Sequence, residues 1–96
     1  MVARSPDQEV HLLAVEMRID ADLALGRHAA LVAELDALAA EHPLRERLRG
    51  QLMLALYRAG RQAEALAAYQ SARRVLVDEL GIEPSVALQE LERSML

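Results

Sequence analysis

Residues 55–70, ALYRAGRQAEALAAYQ, decide the fold of this chain. Both ends of the stretch have helical composition, and they meet at Gly60, a residue that readily takes the left-handed conformation at a helix end. Ala65, Tyr69 and Ala72 follow Gly60 at helical spacing and share one face. Small side chains on that face let two helix backbones approach closely. The stretch therefore predicts two antiparallel helices that pack tightly together.

The composition favours helix along the whole chain. The 96 residues form one small domain, 53% of them are apolar, and Ala and Leu dominate that fraction. Phe, Trp and Cys are absent, and the aromatic residues are two tyrosines. We expect a core of many Leu contacts with close, Ala-lined approaches between helices.

Charge and hydropathy exclude several classes of protein. The net charge of −4 argues against this chain being the main nucleic-acid contact, because duplex binding needs a concentrated positive patch. The absence of Cys excludes disulfides and Cys-based metal sites. No apolar run approaches the roughly 20 residues of a membrane span. The N-terminal stretch MVARSPDQE lacks a hydrophobic signal core, so we expect a cytoplasmic protein without membrane contact.

Capping and stopping signals divide the chain into helices. Ser5, Pro6 and Gln8 form a capping box, and His42-Pro43 closes a helix because the residue before Pro avoids helical geometry. The pattern predicts five helices, over about 6–25, 28–41, 43–59, 62–80 and 85–95. The predicted core positions are Leu12, Val15, Ile19, Leu23, Leu31, Leu35, Leu38, Leu44, Leu48, Leu52, Leu56, Ala65, Tyr69, Ala72, Leu76, Leu88, Leu91 and Met95.

The helices also repeat. Gly26-Arg27 and Gly60-Arg61 lie 34 residues apart, which is the period of the tetratricopeptide repeat (TPR). Ala65, Tyr69 and Ala72 match the Ala–aromatic–Ala offsets of that repeat, whereas the first unit has leucines there. We predict one all-α domain over 1–96, with antiparallel hairpins stacked in a right-handed, TPR-like array. Its repeat-like units would cover about 6–41 and 43–80, followed by a capping helix at about 85–95.

Four motifs resemble the bacterial transcriptional activator domain of the Streptomyces antibiotic regulatory protein (SARP) family. They are LALGRHAALVAEL at 23–35, HPLRERL at 42–48, ALYRAGRQAEAL at 55–66 and ELGIEP at 79–84.

The resemblance covers about residues 10–96 and implies a part in transcription regulation. In this family the domain usually follows a winged helix–turn–helix DNA-binding domain, and the pair binds promoter repeats and contacts RNA polymerase. No winged-helix segment is present here, so direct DNA reading is not carried over to this chain. The family's domain also usually begins further upstream. We therefore interpret the chain as the C-terminal portion of such a domain, with a helix face over 6–25 that can be left uncovered and favour self-association.

TPR arrays usually bind partners on the concave surface lined by the first helix of each repeat. By TPR offsets, Tyr57 lies on that surface and either anchors a partner or packs on the neighbouring helix with its hydroxyl in water. The predicted surface comprises Arg47, Leu54, Tyr57 and Arg58 in the second repeat and Leu13, Glu16, Asp20 and Leu23 in the first.

The basic run Arg45, Arg47 and Arg49 has two interpretations. Arg45 and Arg49 share a face with Glu41 one turn earlier, so a Glu41–Arg45 ion pair on a solvated surface is one of them. The other is an anchor for an acidic partner segment.

No pattern of catalytic or metal-binding residues stands out. His11, His28 and His42 lie on separate segments, so we expect no metal site. Ser5 and Ser85 are explained as helix caps, no Gly-rich phosphate loop exists, and we expect neither a cofactor nor an enzyme. The sequence thus predicts a protein–protein interaction module of a transcriptional regulator, supporting dimerisation or contact with RNA polymerase components. The alternative is a stand-alone TPR-like adaptor or oligomerisation module without a role in transcription.

Overall fold

The computed structural model describes residues 5–96, which form five α-helices and no strand. The all-α, TPR-like fold is as predicted. The helices are α1 (Pro6–Ala24), α2 (His28–Glu41), α3 (Glu46–Arg58), α4 (Gln62–Leu80) and α5 (Val86–Ser94).

The predicted capping box starts α1. The backbone N–H of Gln8 donates to the Ser5 hydroxyl at 3.2 Å, and the Ser5 N–H donates to the Gln8 side chain at 3.3 Å. Asp7 and Glu9 add negative charge in the first turn, where the helix dipole favours it. Local sequence alone therefore fixes this helix end.

The start of α3 differs from the prediction. The helix begins at Glu46 rather than at Pro43, and Leu44, predicted as a core residue, is exposed. Arg45 keeps an extended backbone, with φ −87° and ψ 97°. The Pro43 carbonyl accepts a hydrogen bond from Arg49 Nε at 3.1 Å, so the arginine side chain occupies an acceptor that an earlier helix turn would have used.

The turn at Gly60 joins α3 and α4, the two antiparallel helices that residues 55–70 predict. Gly60 has φ +80°, and the Arg61 N–H donates to the Leu56 carbonyl at 2.8 Å, closing the turn. A Cβ at Gly60 would meet no atom within 4 Å, so only the backbone torsion requires glycine. α4 then returns along α3 with Ala65 and Ala72 fully buried.

α3 is the central helix. It packs between α2 and α4 and also contacts α1 and α5. Apart from Leu44, every predicted core position is buried or half-buried. The buried residues include Leu12, Ile19, Leu23, Leu31, Leu35, Leu48, Leu52, Leu56, Ala65, Tyr69, Ala72, Leu76, Leu88 and Met95.

The last helix joins the ends of α3 and α4. The Ser85 hydroxyl accepts from the Leu88 N–H at 3.2 Å, and the Ser85 N–H donates to Glu46 at 2.8 Å. The Gln62 side chain donates to the carbonyl of Met95, whose side chain is buried. These contacts suit a helix that closes the array, although the division into two repeat-like units and a cap stays a prediction. Between residues 5 and 96, no helix has the length and hydropathy needed to cross a membrane.

Candidate functional site

A buried ion pair joins α1 to the residue before α3. Glu16 is fully buried, and its two carboxylate oxygens accept from Arg45 Nε at 2.7 Å and Nη2 at 2.8 Å. Arg45 Nη1 also donates to Glu9 at 2.6 Å. The hydrogen bonds to Glu16 and Glu9 outweigh the cost of burial and raise the pKa of Arg45. Arg45 therefore does not form the predicted pair with Glu41.

Two residues predicted on the concave surface lie in the interior instead. Glu16 and Leu23 are both buried, on the same face of α1 as Leu12 and Ile19. The sequence held a signal for this placement: Glu16 follows Leu12 by four residues and precedes Ile19 by three. TPR offsets indicate where the backbone lies, but the spacing along the helix places the Glu16 side chain in the core. Arg45 neutralises its charge there.

Asp20 and Arg47 do lie at the surface, and they contact each other. Arg47 Nη2 lies 2.5 Å from one Asp20 oxygen, and Gln51 Nε2 donates to the other at 2.7 Å. Burial raises the pKa of the Asp20 carboxyl, but the hydrogen bonds from Gln51 and Arg47 favour its charged form more strongly and leave the pKa lowered. A polar contact thus bridges α1 and α3 at the predicted surface.

The other residues of the predicted surface on α3 differ in exposure. Leu54 is half-buried and packs against the core. Tyr57 is 40% exposed, which is compatible with both interpretations of this residue. The Arg58 side chain is exposed and makes no hydrogen bond or ion pair with any residue from 5 to 96.

The basic run does not form one solvated face. Arg45 and Arg47 are held by acids of α1, whereas Arg49 is only 9% exposed. Burial lowers the pKa of Arg49, and the charge of Asp36 opposes that shift only in part. The three arginines therefore differ in environment. Arg45 is in a buried ion pair, Arg47 is in a surface ion pair, and Arg49 is buried without an ion pair.

The outward face of α1 is apolar and uncovered. Val10 and Met17 are 66% and 65% exposed, and Leu13, the one predicted surface residue among them, is exposed too. The sequence predicts an uncovered face on this helix but does not specify its residues. The exposed apolar residues recur at helical spacing. We call this surface the outer face of α1: Val10, Leu13, Ala14, Met17, Ala21 and Ala24.

Catalytic and metal-binding geometry does not stand out. Within the described part of the chain, no three His, Cys, Asp or Glu side chains are placed to hold a metal ion together. The notable side chains of residues 5–96 are instead ion-paired arginines at a helix seam and exposed apolar residues on helix surfaces. Together with the packed helices, they define the class of this chain as a TPR-like helical array.

The chain belongs to the bacterial transcriptional activator domain family, whose family model matches residues 3–96. The regulatory protein AfsR of Streptomyces coelicolor is 60% identical over 88 residues, which are 92% of this chain and 9% of AfsR. The regulatory protein DnrI of Streptomyces peucetius is 49% identical over 89 residues, covering 93% of this chain and 33% of DnrI. The SARP resemblance is thereby confirmed.

A solved structure shares the fold. Mycobacterium tuberculosis EmbR, in complex with a low-affinity phosphopeptide, superposes with a TM-score of 0.89 at 42% identity over 91% of this chain and 23% of the EmbR chain. This chain thus spans a third or less of the relatives named here. All three bear names of regulatory proteins, EmbR being a transcriptional regulatory protein.

Proposed function

We propose that this chain is the protein–protein interaction module of a SARP-type transcriptional regulator. It supports self-association and contact with the transcription machinery, and it does not itself read DNA. The observation that carries the proposal is the outer face of α1, an uncovered apolar surface on a well-capped helix. Folded proteins rarely leave a contiguous apolar face in water without a partner for it.

Size complementarity along the outer face favours antiparallel pairing with a second copy. The large side chains, Val10 and Leu13, lie in the first half of α1, and alanines occupy the second half. An antiparallel pair centred on Met17 sets Val10 against Ala24 of the second copy. Large residues then fill the space above small ones, as close helix packing requires.

Charge supports the same register. Asp7 makes no ion pair with any residue from 5 to 96, and the Arg27 side chain is 63% exposed although it also holds Asp22 at 2.9 Å. Antiparallel pairing centred on Met17 brings the first turn of α1 in one copy, with Asp7, to the end of α1 in the other copy, where the chain continues to Arg27. It also sets the positive end of each helix dipole against the negative end of its partner.

Contact with RNA polymerase components is assigned to the surface around Tyr57. Tyrosine and arginine are both enriched among interface anchors, and here a half-exposed tyrosine is followed by an arginine without an ion pair in residues 5–96. Arg47, Leu54, Tyr57 and Arg58 form this candidate surface on α3. DNA reading belongs to a winged-helix domain, in keeping with the net charge of −4 on this chain.

The test of self-association is the solution mass of the chain by light scattering across a concentration series. We expect a dimer at low micromolar concentration. Met17→Glu is expected to give monomer, because it sets two carboxylates against each other at the centre of the pair. Val77→Glu adds the same charge at an exposed position of α4 and is expected to leave the dimer intact. A wild-type monomer, or equal dissociation by both variants, would overturn this assignment.

A further inference from the structure

A cleft lies between α2, α3 and α4 and includes no residue of the outer face of α1. Its volume is about 390 Å³. Val32, Leu52 and Leu56 supply an apolar wall, and Arg49 and Ser71 bring polar groups from α3 and α4. The volume lies within the range of small-molecule sites, and the lining combines apolar and polar groups as such sites do.

Arg49 is the chemically unusual residue of this cleft. Only 9% of it is exposed, and Nε is fixed by the Pro43 carbonyl at 3.1 Å. Its two terminal nitrogens donate to no residue in the described range 5–96. Asp36 lines the same cleft but forms no ion pair with Arg49. The residue is largely buried, but its terminal nitrogens are not closed off from solvent, so their free N–H groups are available to an anion in the cleft.

Ser71 adds a second free donor. Its hydroxyl makes no hydrogen bond with the described part of the chain, and the residue is half-buried and lines the same cleft from α4. A serine hydroxyl inside a helix often bonds back to its own backbone. Here it is left available to a molecule in the cleft.

We propose that this cleft binds a carboxylate carried on a short aliphatic chain. The free edge of the Arg49 guanidinium matches a carboxylate in a planar, two-bond arrangement. Ser71 donates to the same group, and the aliphatic chain packs on Val32, Leu52 and Leu56. This binding activity is separate from self-association through α1, so either can fail without the other.

The charges around the cleft favour a single negative charge over two. Arg49 and Arg61 line it together with Asp36 and Glu64, and Arg61 is already paired with Glu64. These four groups sum to zero, so the field does not select a phosphate dianion. A monoanion pairs with Arg49 and meets less repulsion from Asp36 and Glu64 than a dianion does.

The carboxylate can come from a free metabolite or from a Glu side chain on a protein segment. The experiment is an amide NMR titration of the whole chain with butyrate, with inorganic phosphate and with a blocked Leu-Glu-Leu peptide. We expect saturable shifts confined to amides near Asp36, Arg49 and Ser71. Arg49→Met keeps an aliphatic side chain but removes the guanidinium group. It is expected to weaken butyrate binding about tenfold or more, because charge-assisted hydrogen bonds are stronger than neutral ones.

Two further variants keep the test decisive. Ser71→Ala removes a hydroxyl without a bond in the fold, so it is expected to weaken binding several-fold even if Arg49→Met fails to fold. Arg74→Met removes an exposed arginine of α4 that does not line the cleft, and it is expected to leave butyrate binding unchanged. Tighter binding of the peptide than of butyrate supports a protein segment as the source, and equal binding supports a free carboxylate. Absence of saturable shifts, binding undiminished in Ser71→Ala, or tighter binding of phosphate would each overturn the proposal.

Discussion

Arg45 donates two hydrogen bonds to the buried carboxylate of Glu16, from Nε at 2.7 Å and from Nη2 at 2.8 Å. The two residues are 29 positions apart and connect α1 to the entry of α3. Arg45 must leave helical geometry to reach α1, which explains why α3 begins at Glu46. This one contact therefore sets both a helix boundary and the docking of the first hairpin on the second.

Removing both members of this pair is expected to cost less than the sum of removing each one. Arg45→Leu leaves the buried Glu16 carboxylate without its two-bond partner, and breaking such a buried pair costs about 3–5 kcal/mol. Glu16→Leu leaves Arg45 with Glu9 as a remaining partner and is expected to cost less than Arg45→Leu. The double variant Glu16→Leu/Arg45→Leu leaves no orphaned charge at the seam and is expected to lose less than the sum of the two. Urea unfolding followed by circular dichroism measures all three.

The exposed pair Arg18–Asp22 is the matched control for the buried pair. Arg18 Nη1 lies 3.1 Å from Asp22 and Nη2 also pairs with Glu34, but the Arg18 side chain is 48% exposed, so both contacts are at the surface. Arg18→Leu is therefore expected to cost less than about 1 kcal/mol. Strict additivity of the two single variants at the buried pair would contradict the coupling described here.

Acid is expected to destabilise the chain through Asp20. The pKa of Asp20 is lowered in the folded state, so its contribution to stability is present above the pKa of the unfolded chain, about 3.9. That contribution is lost as the pH falls through the folded-state pKa. Asp20→Asn is expected to reduce the loss of unfolding free energy between pH 6 and pH 3, measured by urea titration. Asp78→Asn, at an exposed acid without a side-chain contact in residues 5–96, is expected to leave the loss unchanged.

Helix ends and core positions were predictable where local chemistry decides them. Ser5 with Gln8 marks the start of α1, and Ala65 with Ala72 marks the close return of α4. These signals lie within one or two turns of the structure they specify. The start of α3 was not predictable in the same way, because Pro43 is a normal first-turn residue. The later start accompanies two side-chain contacts, of Arg45 with Glu16 on α1 and of Arg49 with the Pro43 carbonyl.

The candidate site was less predictable than the fold. TPR offsets placed Glu16 at the surface, whereas its spacing from Leu12 and Ile19 places it in the core. An offset pattern reports where the backbone lies, but burial of an acid depends on a partner elsewhere in the chain. The free donors of Arg49 have no sequence signal, since they result from the meeting of three helices around one side chain.

Alanine substitution is expected to have opposite effects on stability at Gly60, in the turn after α3, and at Gly50, inside α3. Gly60 has φ +80°, so Gly60→Ala is expected to destabilise the chain by about 1–2 kcal/mol. Gly50 lies inside α3, and a Cβ there would meet Leu88 at 3.4 Å and Leu91 at 3.6 Å, ordinary packing distances. Gly50→Ala is expected to stabilise the chain by about 0.5–1 kcal/mol through helix propensity. Thermal unfolding of both variants checks the contrast, and destabilisation by Gly50→Ala would show that α5 cannot yield to the added methyl group.

The α3 surface is tested by separating binding from stability at Tyr57. Tyr57→Ala and Arg58→Glu are each expected to weaken capture of RNA polymerase by the chain, because both side chains are exposed there. Since Tyr57 is 40% exposed, its truncation is expected to cost only about 1–2 kcal/mol of unfolding free energy. Arg74→Glu, at an exposed arginine of α4 without a partner in residues 5–96, is the control for added negative charge. If Tyr57→Ala lowers stability much further and neither variant changes capture, Tyr57 is a packing residue and the polymerase contact lies on another surface.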